Sequence, residues 1–373
     1  MSIAIQASDL DHPRIDGTRV YLKELLKRFG KIEPAEHFLI YHKGVFNPLL
    51  APPRFDNYVV KTLSFPWAWM QTRFSYELFM EKPETLFLPI QASPLFLPKK
   101  TKIVATIHDL AFKKYPETFT FKNRLKLSLM LWLAVTKSHK LIAVSESTKK
   151  DLLSYFPTID KEKIKVIHHG FDDAFFGMKI GEQDLNAGLG KYSLKPEEYV
   201  LYVGALQPRK NLVRLIGAFE IAKKSHPEMK LVLAGESAWL AEGIHEAINK
   251  STHRRDIFDI GRLNFDDLRI LYQGAKIFAF PSLYEGFGLP LLEAFASDVP
   301  VLTADNSSLR EVADDAALYC QAESVDNMAA KLGELWQNES LRNELRAKGK
   351  SRLQHFSWDR CAKETLSYIR SEA

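Results

Sequence analysis

Only two cysteines, Cys320 and Cys361, occur in 373 residues, too few for a disulfide framework and without metal-site spacing. No apolar run approaches the ~20 residues that span a bilayer. Nothing ahead of the strand-like Ser2-Ile-Ala-Ile-Gln6 reads as a cleaved leader, so a reducing cytoplasm is the expected compartment. The formal charge is only +5, and no recognition motif accompanies it, which argues against nucleic acid as a partner. That mild charge is compatible with anionic phosphates or with peripheral contact at the inner face of a membrane. No Gly-x-Gly-x-x-Gly follows a first strand, which disfavours a nicotinamide dehydrogenase. Short internal repeats and low-complexity tracts are also missing.

What is present is the balance of a globular protein, 46% hydrophobic and 26% charged, at a length that suggests two domains. Short apolar strands alternate with amphipathic helices, the pattern of parallel α/β sheets. Strands are predicted near 2–7, 37–42, 102–107, 140–144 and 164–168, with helices over 18–29, 120–137 and 147–155. A second series starts at Tyr199-Val-Leu-Tyr-Val203 and continues near 230–234, 256–260, 276–280 and 300–303. Between them, Phe171 to Glu198 holds four glycines and no firm periodicity, so it reads as a linker. In two open sheets of this kind, ligands gather outside the carboxyl ends of the strands.

The most informative stretch is Phe280-Pro-Ser-Leu-Tyr-Glu285-Gly-Phe-Gly-Leu-Pro-Leu-Leu-Glu293. A buried strand enters a turn containing Gly286 and Gly288, and Pro290 suits the start of the following helix. A strand, a glycine loop and a helix N-terminus make a phosphate site. Glu285 and Glu293 beside such a site would be repelled unless they serve neighbouring hydroxyls, which a sugar phosphate supplies. Spacing alone would also fit glycine–proline punctuation with two solvated glutamates. The whole string, however, resembles the paired-glutamate motif of family-4 retaining nucleotide-sugar glycosyltransferases.

Other segments fit the same family. Val203-Gly-Ala-Leu-Gln-Pro-Arg209-Lys210-Asn-Leu puts two cations at a strand end ahead of a helix, where the macrodipole disfavours them unless an anion binds. Val104-Ala-Thr-Ile-His108-Asp109 ends a buried strand and resembles the family's active-site histidine motif. Asp259-Ile-Gly261-Arg262-Leu263 resembles the turn that holds the nucleobase. The N-terminal loop has only Gly17 where relatives carry more glycine, and Asp16 or Thr18 there suits a helix cap. Ser307-Ser308-Leu-Arg-Glu311 also matches the family, although helix capping explains it equally. The aromatic-rich Phe65–Phe79 stretch suits sugar stacking or an interfacial belt, and suits an ordinary core better. The basic helix from Thr120 to Trp132 is expected to lay its apolar face on the sheet, with Lys122 and Arg124 solvated.

The resemblance implies an α/β GT-B architecture, two doubly wound Rossmann-like domains facing a central cleft. Residues 1–175 would bind the acceptor, with the terminal helix 356–373 crossing back onto them. Residues 176–198 would link to a nucleotide-sugar domain at 199–355. It implies catalytic roles for Glu285, His108, Arg209 and Lys210. Donor contacts would come from Gly17, Arg262, Leu263, Gly286, Phe287, Gly288, Leu289 and Glu293. No Asp-x-Asp string is read as a metal site, so neither metal nor other cofactor is expected beyond the nucleotide-diphosphate sugar itself. Mannose from GDP-mannose is favoured over glucose from UDP-glucose. The acceptor would be a glycan or lipid-linked glycan of a surface polysaccharide. An epimerase on the same architecture, or a non-catalytic scaffold, is the alternative.

Overall fold

Runs such as Thr85-Leu-Phe-Leu88 and Ile277-Phe-Ala-Phe280 are buried at every position, and a strand covered on both faces belongs in the middle of a parallel sheet. The computed structural model describes residues 2–371, and among them two such sheets form. Strands of the first are β1 (Ser2–Gln6), β2 (His37–His42), β3 (Tyr58–Thr62), β4 (Thr85–Leu88), β5 (Lys102–Ile107), β6 (Lys140–Ala143) and β7 (Ile164–Val166). Their order is β3-β2-β1-β4-β5-β6-β7, parallel throughout. The second sheet has β8 (Tyr199–Val203), β9 (Lys230–Ala234), β10 (Ile257–Gly261), β11 (Ile277–Phe280), β12 (Val301–Ala304) and β13 (Ala317–Cys320). It runs β10-β9-β8-β11-β12-β13, again parallel. Strand order reverses between β1 and β4 and between β8 and β11, so both sheets are doubly wound and each has a switch point.

The chain divides into two compact units. One comprises Met1–Leu110, Lys122–Gly170 and Phe356–Ala373; the other comprises Ala111–Phe121 and Phe171–His355. Within the first, the closing helix Trp358–Arg370 packs on helix Gly17–Ile32, and Arg28 Nε holds Asp359 Oδ1 at 2.5 Å. Gly170 makes that closure feasible, because a Cβ there would lie 2.0 Å from the backbone nitrogen of Trp358.

Several elements escaped the sequence pattern for identifiable reasons. β3 is an edge strand with exposed Val59 and Val60, so it lacks an alternating signature. β4 is bracketed by Pro83 and Pro89, which read as loop punctuation, and β13 is only half-buried at its two central positions. The stretch read as a linker carries helix Glu182–Gly190, packed on helix Phe265–Gly274 within the second unit. Its glycines masked that helix, although Gly188 serves packing: a Cβ there would meet Ile270 Cδ1 at 2.7 Å.

Candidate active site

In the second unit, the loops after β8 and β11 leave the two strands that flank the switch point. The β11 loop is buried from Pro281 through Gly288. Gly288 takes φ 112°, which L side chains rarely adopt, and caps helix Leu289–Ala296 with Pro290 in its first turn. From the other loop, the short turn Pro208–Lys210 presents both cations to Glu285. Arg209 Nη1 donates to Glu285 Oε2 at 3.0 Å, and Lys210 Nζ donates to Oε1 at 2.5 Å. Arg209 also donates to the Tyr284 carbonyl, while Lys210 stands 5.0 Å above the Phe280 ring. Burial alone would push the Glu285 carboxyl up, but the Arg209 and Lys210 charges overcome it and hold it down at about 2.

The loops are locked to each other by backbone. Leu283 N donates to the Arg209 carbonyl at 2.9 Å, and Asn211 Nδ2 donates to that of Pro281 at 3.0 Å. A third element secures the glutamate loop. Glu285 N donates to Ser307 Oγ at 3.1 Å, and Ser308 Oγ, which is fully buried, reaches the Glu285 and Phe287 carbonyls at 2.9 and 2.8 Å.

Glu293 lies one turn into the helix and accepts a 2.9 Å hydrogen bond from the Tyr272 hydroxyl. Burial lifts its carboxyl to about 7, and the tyrosine offsets only part of that. At the end of β10, Gly261 takes φ 72°, and the exposed Arg262 pairs with Glu236 Oε1 at 3.2 Å. Leu263 follows at half exposure.

In the first unit, His108 directly follows β5. Its Nε2 lies 2.7 Å from the Pro89 carbonyl, which can only accept, so the neutral ring carries its proton there. Burial lowers its pKa against the opposing pull of that carbonyl, Asp109, Asp16 and Asp9. The ring meets Tyr21 edge-on at 5.2 Å and the buried His169 at 5.6 Å. Asp16 caps helix Gly17–Ile32 by accepting from Arg19 N at 3.2 Å, which leaves Gly17 exposed at its first position. Asp9-Leu-Asp11 is an Asp-x-Asp string by letters, which the sequence reading passed over. Asp11 spends its carboxylate on His42 Nδ1 at 2.9 Å and on the backbone of Lys43 and Gly44, both at 2.8 Å.

Two family profiles match: Glycosyltransferase Family 4 over residues 17–175, and Glycosyl transferases group 1 over residues 191–352. The chain belongs to the group 1, family-4-type glycosyltransferases. The glycosyltransferase is 28% identical to O-antigen chain mannosyltransferase B of Escherichia coli, over 73% of this chain and 71% of that one. It is 27% identical to serotype-specific mannosyltransferase WbdA of Escherichia coli, over 69% of this chain but 32% of that protein. Among solved structures, Alr3699/HepE of Anabaena, crystallised with UDP and glucose, superposes with a TM-score of 0.76. That match covers 99% of each chain at 16% identity and shows the GT-B fold.

Within the glycosyltransferase, the second unit therefore gathers Arg209, Lys210, Glu285, Gly286, Phe287, Gly288, Leu289 and Glu293 around one strand-loop-helix, with Arg262 and Leu263 at the end of β10. His108 and Gly17 belong to the first unit. The capping reading of Ser307-Ser308 needs correction, because Asn306 is the N-cap position and the serines hold the glutamate loop instead. Sequence reasoning also missed Gly204 and Gly235, at φ 146° and 155° directly after β8 and β9. A Cβ on Gly235 would sit 1.9 Å from the Gly204 carbonyl oxygen. A glycine immediately after a run of at least four apolar strand residues was the available signal.

Proposed function

We propose that this glycosyltransferase moves a hexose, mannose by preference, from a nucleotide-diphosphate sugar to a glycan or lipid-linked acceptor, with retained anomeric configuration, in surface-polysaccharide synthesis in the cytoplasm. The second unit takes the donor and the first unit the acceptor. The observation that carries this reading is the Arg209–Glu285–Lys210 group beside a glycine-capped helix start at a switch point. As the anomeric bond breaks, negative charge builds on the diphosphate and positive charge on the sugar ring. Arg209, Lys210 and the start of helix Leu289–Ala296 meet the first. Glu285, held ionised, faces the hydroxyls and the cationic ring. Glu293 accepts hydrogen bonds from ribose hydroxyls, the backbone around Gly261–Leu263 holds the base, and His108 orients the sugar and the incoming hydroxyl. The leaving phosphate takes the acceptor proton, and no metal ion is required.

Mannose is favoured because the curated relatives above are mannosyltransferases, whereas the Anabaena protein was crystallised with UDP and glucose. Nucleotide release from a panel of GDP- and UDP-sugars, with and without a chelator, tests the reading. Release from one donor, lost in Lys210→Ala and indifferent to chelation, is the expected result. Silence across the panel would favour a scaffold, and an epimerised donor without transfer would favour an epimerase.

A further inference from the structure

A cavity of about 670 Å³ opens in the first unit, walled by parts of Ser8–Pro13, Lys43–Val45 and Ser64–Pro66. These are the loops that leave β1, β2 and β3, so the cavity lies on the carboxyl edge of the sheet, the edge where His108 follows β5. The three loops are tied together within the fold itself. Asp11 pairs with His42 Nδ1 at 2.9 Å, and the other ring nitrogen of His42 lies 2.7 Å from Thr62 Oγ1 at the end of β3. Asn47 N donates to the Leu10 carbonyl at 2.8 Å, and its side-chain amide donates to the His12 and Pro13 carbonyls at 3.1 and 3.2 Å. Ser64 Oγ closes the third side on the Lys43 carbonyl at 3.3 Å. A surface cavity with walls braced this way is preorganised for a ligand.

The lining selects the ligand class. Its fixed charges are Asp11 and Lys43, one of each sign, and Asp11 is already turned onto His42 and the backbone of Lys43 and Gly44. Unlike the Arg209–Lys210 pair, such a lining holds no excess of cations for a phosphate. It offers the Ser8 and Ser64 hydroxyls and the Lys43 ammonium beside the apolar Val45, Phe65 and Pro66. Trp67, 70% exposed, extends that apolar rim, its ring 6.0 Å from Phe65. Aromatic faces beside hydroxyls suit a neutral hexose, whose C–H face stacks while its own hydroxyls donate and accept. Position then decides which hexose. In the order β3-β2-β1-β4-β5, β2 and β3 stand three and four strands from β5, a lateral offset of about 14–19 Å from His108 at ~4.8 Å per strand. That is too far for a sugar reacting beside His108 and within reach of rings further back along the same glycan.

We propose that the cavity between the β1, β2 and β3 loops is a distal acceptor subsite, which binds a neutral hexose several rings behind the growing end, with Phe65 and Trp67 against the sugar. The inference rests on the first unit being the acceptor side of a glycosyltransferase. The full chain, without donor, is titrated with α-linked mannose and glucose tetrasaccharides and with the matching methyl monosaccharides, by calorimetry and ligand-observed NMR. Wild type binds one tetrasaccharide at least about tenfold more tightly than its monosaccharide. Phe65→Ala/Trp67→Ala removes that advantage. Gly44→Leu removes it too by crowding the cavity, and serves if the double variant folds poorly, since a Cβ at Gly44 meets only Asp11 Oδ2, at 4.0 Å. Tetrasaccharides and monosaccharides binding wild type alike, or the advantage persisting in either folded variant, overturns the proposal. Nucleotide release from a donor decides the transferase reading separately. Release without a length preference sinks the subsite alone, whereas a length preference without release sinks the transferase reading alone.

Discussion

Glu285→Gln separates two demands on the Arg209–Lys210 pair. Both cations already engage the carboxylate, at 3.0 and 2.5 Å, so an incoming diphosphate must share them with a charge of its own sign. A phosphate bonded to the same cations would lie about 6 Å from that carboxylate, where the repulsion is about 3 kcal/mol per charge at an effective dielectric of 20. The intervening cations reduce this to ~1–2 kcal/mol, so glutamine should tighten free GDP or UDP binding roughly tenfold. Turnover should move oppositely, falling at least about a hundredfold, because the amide cannot stabilise a cationic ring. Leaving two buried cations without their anion should also cost about 3 kcal/mol of stability. Calorimetric titration with nucleoside diphosphate, donor hydrolysis and urea unfolding measure the three effects. A folded variant that binds nucleoside diphosphate no more tightly than wild type would refute the assignment of these cations to the phosphates.

Glu293 gives a pH signature of the opposite sign. Its folded pKa, raised to about 7, lies above that of the unfolded chain, so it costs stability as pH rises from about 4.5 to 7. Glu293→Gln should thus stabilise the protein by up to about 3 kcal/mol at pH 8 and leave it nearly unchanged at pH 4, read by urea unfolding at both. Lys210→Ala should reduce donor turnover more than Glu293→Gln does, and equal small losses would break that division of roles. Ser308→Ala strands the Glu285 and Phe287 carbonyls and should cost ~1–3 kcal/mol, with kcat falling more than KM changes. Gly170→Ala should lower the thermal midpoint by loosening the closing helix, since its methyl cannot coexist with the Trp358 backbone.

Strand alternation and the string from Phe280 to Glu293 were enough to place two doubly wound sheets and the candidate strand-loop-helix motif, because apolar strands and glycine-punctuated turns leave local marks in the chain. Edge strand β3 and half-buried β13 leave no such mark, and the prolines on either side of β4 obscure its own. The helix at Glu182–Gly190 was hidden because Gly188 is chosen for a neighbour distant in sequence. Pairing of Glu285 with Arg209 and Lys210, some 75 residues away, and support from Ser307 and Ser308 exist only once the loops of one sheet edge meet. The same holds for the pKa values. A carboxylate near 2 and another near 7, eight positions apart, differ through tertiary charge partners and burial. Local sequence therefore determined the two sheets and the strand-loop-helix in which the candidate residues stand, and tertiary packing decided their charge states and partners, because desolvation and Coulomb energy depend on distance through space rather than along the chain.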